Sequence, residues 1–186
     1  MRFTLSILLF FLIFISCKDK NVEPISNYNK VAIDSLYTLE VPKYMEVMNS
    51  LYDQASLQYG SRKKDAYTVV INESKKDFIG YFHKIKMYNE NLSVIKNYAA
   101  AQVNYFREEM KATKIEQYEL TKINNYNAHQ FRIEHRVNHY KIAYLIAYIE
   151  TENDLFMIMN WTRLNKFDQF ENEFKDINGS FKLIQK

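Results

Sequence analysis

The spacing of apolar and polar positions changes period along this chain, and each change marks an element. Leu36 to Val41 alternates weakly and stops at Pro42, which predicts a first strand. Residues 43–50 read as one or two helical turns. Ala55 to Tyr59 and Ala66 to Asn72 predict a hairpin. Leu57 and Tyr59 lie on one arm, Tyr67-Thr68-Val69-Val70-Ile71 on the other, and Gly60 to Asp65 forms the turn. Ser74 then suits a helix N-cap, because its short hydroxyl can accept from a free amide of the first turn. Phe78, Tyr81, Phe82 and Ile85 follow at helical spacing. A longer helix is predicted from about Leu92 to Met110. Ile95, Tyr98, Ala99, Val103, Phe106 and Met110 form its stripe, with Lys96, Asn97, Gln102, Arg107 and Glu108 mostly elsewhere. Such a stripe is the face a helix packs on a sheet, since its polar side lacks the lysine enrichment of membrane-surface helices.

The second half returns to period two. Lys114 to Ile123, Tyr126 to Val137, Tyr140 to Thr151 and Leu155 to Thr162 predict a meander. Its separators, Asn124-Asn125, Asn138-His139 and Glu152-Asn153-Asp154, are short and rich in turn formers. In the second of these strands Phe131, Ile133 and Val137 share one parity, and Gln130, Arg132, Glu134 and Arg136 the other, so that strand is half wet. Ile142 to Ile149 and Leu155 to Met159 are apolar on both parities and need cover on both sides. A closing helix is predicted from about Asn165, with Phe167, Phe170, Phe174 and Ile177 inward and Asp168, Glu171, Glu173 and Asp176 outward. Asn178-Gly179 should end it, with Gly179 as a left-handed cap. The fold class is therefore α+β: a central antiparallel sheet of about six or seven strands with helices on both faces.

The N-terminus obeys neither period. Phe3 to Ser16 is a short apolar run behind Arg2, followed by the only cysteine, Cys17, and then by Lys18-Asp19-Lys20. The run is shorter than the ~20 residues a membrane-spanning helix needs and has the length of a signal-peptide core. Phe14-Ile15-Ser16-Cys17 resembles a lipobox, the recognition site of bacterial lipoprotein signal peptidase, with Phe14 where leucine is usual. The resemblance implies cleavage between Ser16 and Cys17, and acylation of Cys17. Each buried methylene contributes ~0.8 kcal/mol, and two chains anchor stably where one is marginal. The domain reading is a lipoprotein signal peptide at 1–16, a lipidated cysteine and flexible tether at 17–33, and one globular domain at 34–186. Lys18 after the cysteine does not look like inner-membrane retention, and the charged stretch resembles the surface-export signals of some envelope lipoproteins. The expected location is the outer membrane of a bacterial cell envelope, with the facing side left open.

Composition changes this picture little. Removing Arg2 with the signal from the 25 Lys+Arg leaves 24 against 22 Asp+Glu. That balance implies no nucleic-acid or acidic-polymer partner. Arg62-Lys63-Lys64 is a basic triplet in a turn, where solvated charge is the default reading. One cysteine allows no internal disulfide, so stability must come from the core. The 15 Tyr and 13 Phe are read as ordinary core of an AT-rich coding region rather than as a binding surface.

The search for chemistry returns no strong candidate. His129 and His135 share a parity but stand about 20 Å apart along a strand, too far to share an ion. His135 and His139 flank a turn and give two ligands where zinc sites use three or four. His83 sits among lysines on a helix. There is no Gly-x-Ser-x-Gly and no His-Glu-x-x-His, and the three glycines are too scattered to cradle a phosphate. Glu108-Glu109 and Asp168 with Glu171 lie on outer helix faces. No catalytic residue, metal site or cofactor is expected. Asp34-Ser35-Leu36 resembles an O-glycosylation site of some envelope proteins, but its residues read as a plain turn.

The element order, with its ending Ile177-Asn178-Gly179-Ser180-Phe181, resembles the PsbP-like α/β/α sandwich over roughly Leu36 to Leu183. The resemblance implies a non-enzymatic accessory or docking module, and the family has no shared active site to carry over. The expected function is therefore a lipid-anchored interaction module that contacts an envelope protein through loops at one end of the sheet, Gly60 to Asp65 and Glu152 to Asp154. The alternative is a carrier for an apolar or aromatic small molecule between sheet and helix.

Overall fold

The computed structural model describes residues 27–184. The chain runs β1 (Tyr28–Ile33), β2 (Tyr37–Pro42), β3 (Glu46–Val47), β4 (Leu57–Ser61) and β5 (Ala66–Ser74), then the helices α1 (Lys75–Lys84) and α2 (Val94–Glu108). It continues through β6 (Lys114–Tyr118), β7 (Lys122–Ile123), β8 (Tyr126–Val137), β9 (Tyr140–Glu150) and β10 (Asp154–Arg163). A single 3-10 turn (Leu164–Lys166) leads into α3 (Phe167–Gly179), and β11 (Lys182–Leu183) ends the described chain. The large sheet has the order β3-β4-β5-β10-β9-β8-β6, with β7 also paired to β8, and its strands are antiparallel. A second sheet has the order β1-β2-β11.

The doubly apolar strands β9 and β10 sit at the centre, as their composition requires. One parity (Ala143, Leu145, Ala147, Ile149; Phe156, Ile158) belongs to the core beneath α3 and the small sheet. The other (Ile146, Tyr148; Leu155, Met157) belongs to the core beneath α1 and α2. Helices thus lie on both faces, with the small sheet sharing one of them. On α3, Phe167, Phe174 and Ile177 are fully buried, and each such side chain contributes about 1.5–3 kcal/mol through burial. On α2, Ile95, Tyr98, Ala99, Val103 and Phe106 are buried as the stripe predicts. Ser74 caps α1 by accepting from the Asp77 amide at 3.2 Å.

Several expectations are corrected. The strand β1 occupies Tyr28–Ile33, inside the segment read as tether. Its apolar signal is too weak to see because only one side packs, and its strength lies in the ladder to β2 and the turn at Asp34-Ser35. Both turn residues have positive φ (48° and 54°), as a tight hairpin of this hand requires. Residues 43–50 form turns and β3 rather than a helix, because Glu46 and Val47 find partners in Gly60 and Tyr59. The predicted strand 114–123 is broken into β6 and β7. On α1, Tyr81 is 59% exposed and Ile85 39%, so of that stripe only Phe78 and Phe82 pack against the core. Gly179 is the last residue of α3 and carries no positive φ. The helix ends on Ser180 at φ −79°, whose amide bonds back to the Asp176 and Ile177 carbonyls. Left-handed positions fall instead on Asn124, Asn138, Lys86 and Lys111. The asparagine turns were expected. The lysines follow α1 and α2, where the scarcity of glycine leaves the sequence no better residue to place.

The half-wet reading of β8 also changes. Its polar parity lies beneath α3. Gln130 is buried, and the Arg132 guanidinium stands over the Phe167 ring at 4.3 Å while ion-pairing Glu134 at 2.8 Å.

Candidate functional site

Antiparallel register collects the turns of the large sheet at two ends. Ala66 pairs with Thr162 at one end of β5, and Ser74 pairs with Asp154 at the other. Eight residues separate these rows, about 27 Å at strand rise. The Gly60–Asp65 and Glu152–Asp154 loops, expected to act together, are therefore at opposite ends. Sequence alone could not show this, because the order in which β10 and β5 pair is a property of the whole topology.

The Gly60–Asp65 end is cationic. Arg62, Lys63 and Lys64 are exposed on the β4–β5 turn. Arg136 and Lys141 face each other across the β8–β9 hairpin, like charges in directly opposed positions, which is unfavourable unless something else neutralises them. Among the described residues neither makes an ion pair. Arg163 at the end of β10 pairs with Asp65 at 2.7 Å and covers the Tyr140 ring at 4.9 Å. Lys166 reaches the same carboxylate at 3.9 Å and donates to the Lys64 carbonyl at 3.2 Å. One aspartate thus serves two cations. Exposed apolar groups accompany the charges: Tyr140 is 55% exposed and Val137 41%. Sequence reasoning found the triplet but not its neighbours, since Arg136, Lys141, Arg163 and Lys166 are single cations from distant strand ends.

The start of the described chain lies beside this rim. The Lys43 amide donates to the Asn27 carbonyl at 2.9 Å, and the Lys64 ammonium stands 3.7 Å over the ring of Tyr44. The Tyr44 hydroxyl in turn bonds Glu173 on α3. Residue 27 therefore enters the domain next to Lys43 and Lys64.

A second feature is a cleft of about 440 Å³ between α2 and the β6–β8 edge. Ala99, Val103 and Phe131 form its apolar floor, and Lys96, Arg107, Gln117 and His129 its polar rim. His129 and Gln117 are 3.3 Å apart. Partial burial, and then the Lys96 charge, lower the His129 pKa, so the ring is neutral at ordinary pH. Beneath the same helix the hydroxyls of Tyr98 and Tyr148 are buried without a hydrogen-bond partner. Burial raises both phenols well above their ordinary range, and it raises Glu73, which lies near Tyr98 but outside strict hydrogen-bond geometry. The two phenols stay protonated and act as spacers between the helix and the sheet.

The remaining histidines are separated. His135 is buried against Tyr144, with Nε2 3.2 Å from the hydroxyl, whereas His139 is exposed in the turn. His83 is half-exposed and faces Glu90 at 3.4 Å. Among the described residues no cluster of three or more His, Cys, Asp or Glu could hold a metal ion. The apolar run, Ser16, Cys17 and most of the expected tether lie outside the described residues. Within the described residues no helix is long and apolar enough to cross a membrane.

Beneath α3 runs a fully buried polar ladder. Thr68 donates to the Asn160 side chain at 2.9 Å, Asn160 to Asn178 at 2.7 Å, and Asn178 to Gln130 at 3.2 Å. Asn160 also donates to the Leu145 carbonyl at 3.2 Å. The ladder ties α3 to β5, β8, β9 and β10 and fixes its position over the sheet. Sequence reasoning placed Asn178 at a helix end, Gln130 on a wet strand face and Thr68 and Asn160 within strands, and joined none of them to another.

No family model and no curated protein matches the chain. Solved structures do. The cyanobacterial PsbP protein of Synechocystis sp. PCC 6803 superposes with a TM-score of 0.56 at 8% identity, covering 87% of this chain and 95% of that one. The Saccharomyces cerevisiae Ran-binding protein Mog1p superposes at 0.53 with 10% identity, covering 86% of this chain and 96% of that one. The Mycobacterium tuberculosis protein LpqN, described as involved in cell envelope biogenesis, superposes at 0.50 with 8% identity, covering 79% of this chain and 82% of that one. The chain therefore has the PsbP/Mog1-like fold that its element order implied. At these identities the likeness concerns the fold and assigns no residue a role.

Proposed function

We propose that this protein is a non-catalytic docking module of a bacterial cell envelope, held to the outer membrane by acyl chains on Cys17. One observation carries the docking reading. Both faces of the large sheet are closed by the chain's own elements, while the rim at the Gly60–Asp65 end sets the exposed cations Arg62, Lys63, Arg136 and Lys141 beside the exposed Val137 and Tyr140. Such a rim presents charge and aromatic surface to a partner. The anchor rests on the pattern Phe3 to Cys17. Ten residue steps separate Cys17 from Asn27, a covalent reach of at most about 35 Å. That two proteins of similar fold are described as Ran-binding and as involved in cell envelope biogenesis suits an accessory role.

Metabolic labelling with palmitate tests the anchor. The wild-type chain should take up label and partition with membranes, and Cys17→Ser should do neither; an unlabelled wild-type product overturns the anchor. Crosslinking in intact cells followed by detergent extraction tests the docking reading, and absence of any specific partner protein counts against it.

The cleft beside α2 supports a second reading, as a small-molecule carrier. Its volume falls in the range of ligand pockets, and its apolar floor under a cationic rim suits an amphipathic anion. Native mass spectrometry of the purified domain separates the two: a persistent added mass favours the carrier.

A further inference from the structure

We infer that the cationic rim at the Gly60–Asp65 end is a docking surface for an anionic lipid bilayer, and that the domain stands on the membrane with this end down. Two independent observations converge. The first is charge. Arg62, Lys63, Arg136 and Lys141 are exposed and make no ion pair among the described residues, and the last two oppose each other across a hairpin. Cations in that arrangement gain from a dense anionic surface what the protein itself does not supply. The second is connectivity. The described chain begins at Asn27, whose carbonyl accepts from the Lys43 amide, and the residue after Lys43, Tyr44, lies under the Lys64 ammonium, so residue 27 stands at this same end. Tyr140, under the Arg163 guanidinium, adds a group with an apolar body and a polar tip, the kind that settles at the depth of lipid headgroups.

The near-neutral total charge conceals this cluster. At the opposite end of the sheet Glu152 and Asp154 on the β9–β10 turn are accompanied by Lys75, which ion-pairs Glu150. Each Lys or Arg near an anionic leaflet contributes about 1 kcal/mol, an attraction that extends about a Debye length. A single acyl chain combined with a basic patch already anchors stably. The inference rests on the anchored reading, which brings a bilayer to this end of the domain, and it takes the partner met by the rim to be that bilayer rather than a protein.

The test uses residues 18–186, which lack both the apolar run and Cys17. Residues 27–184 close their own core on both sheet faces, so this chain carries the whole fold. It is sedimented with vesicles of phosphatidylcholine alone and with vesicles containing phosphatidylglycerol. Binding should appear only with phosphatidylglycerol, and should fall at about 0.5 M salt, where the Debye length is about 4 Å. Replacing the triplet (Arg62→Gln, Lys63→Gln, Lys64→Gln) should weaken binding about a hundredfold, roughly fivefold per cation. Lys122→Gln with Lys182→Gln, exposed lysines away from the rim, should leave it unchanged. Binding that ignores phosphatidylglycerol, equal losses in both variants, or capture by an acidic protein with no vesicle binding would overturn the inference. Because this chain has no Cys17, none of these results bears on acylation, which palmitate labelling decides separately.

Discussion

Replacing Asn160 by alanine tests what holds α3 to the sheet. Asn160 is fully buried and sits at the middle of the ladder, bonded to Thr68 at 2.9 Å, Asn178 at 2.7 Å and the Leu145 carbonyl at 3.2 Å. Alanine removes the shared group but leaves its neighbours in place and dry. The Thr68 hydroxyl retains only a long contact to the Met45 sulfur at 3.8 Å. The Asn178 carbonyl oxygen loses its donor. Each buried polar group left unsatisfied costs about 1–3 kcal/mol, so two such groups give about 2–6 kcal/mol before any term for the small cavity. Taking the middle of that range, about 4 kcal/mol, a domain of this size should lose roughly 8–16 °C in Tm. Urea titration followed by circular dichroism measures the loss directly. The same assay on Asn178→Ala and on the double variant gives the coupling, which should be about 0.5–3 kcal/mol because the two share a bond. A loss below about 1 kcal/mol, or strict additivity of the pair, would refute the view that the ladder is a connected unit rather than four separate polar residues.

Other outcomes follow from single contacts. A methyl at Gly60 would stand 2.5 Å from the Tyr67 ring, which is stacked on Trp161 at 5.3 Å between centroids. Gly60→Ala should cost about 1–3 kcal/mol by overpacking and shift the fluorescence of Trp161, the only tryptophan; unchanged emission would show that the ring moves freely. His135 has a pKa lowered by burial, so the unfolded chain binds its proton more readily than the folded one. Its contribution to stability is complete above the unfolded value of about 6.5 and is lost as pH falls below it. Urea midpoints should drop with acidification, and His135→Leu should flatten that slope in part, since His129 also acts in the same direction. Ser74→Ala removes the acceptor for the Asp77 amide and should destabilise by about 1 kcal/mol, seen as a small loss of Tm.

The two halves of the chain were not equally legible. The strands from Tyr126 onward, the stripes of α2 and α3 and the cap at Ser74 followed from period and turn residues. There the hydrophobic pattern is strong and the partners are adjacent in sequence. The strands β1 and β3 escaped detection because short edge strands bury little apolar surface, and what forms them is a partner ladder contributed by β2 and β4. Gly179 shows the limit of residue preference: the C-terminus of α3 bonds to Ser180 and needs no left-handed glycine. Asn97 shows another. It reads as a polar position off the stripe, yet it is buried, and its side chain bonds the Asn89 amide at 2.9 Å and the Asn89 carbonyl at 3.0 Å.

The candidate rim makes the same point about charge. A sum over the sequence is blind to position, and a balance of nearly equal cations and anions argued against an acidic partner. Register then brought Arg62, Arg136, Lys141 and Arg163 to one edge.

Sequence by itself determined the class of fold, because a strand apolar on both sides can only be central and a helix with one apolar stripe can only lie on a face. It also supplied the expectation of an anchor, from the run ending at Cys17. Only the tertiary structure decided which turns are neighbours, which polar residues are dry, and where the charge collects. Those depend on contacts between residues far apart in the chain, and local periodicity carries no information about them.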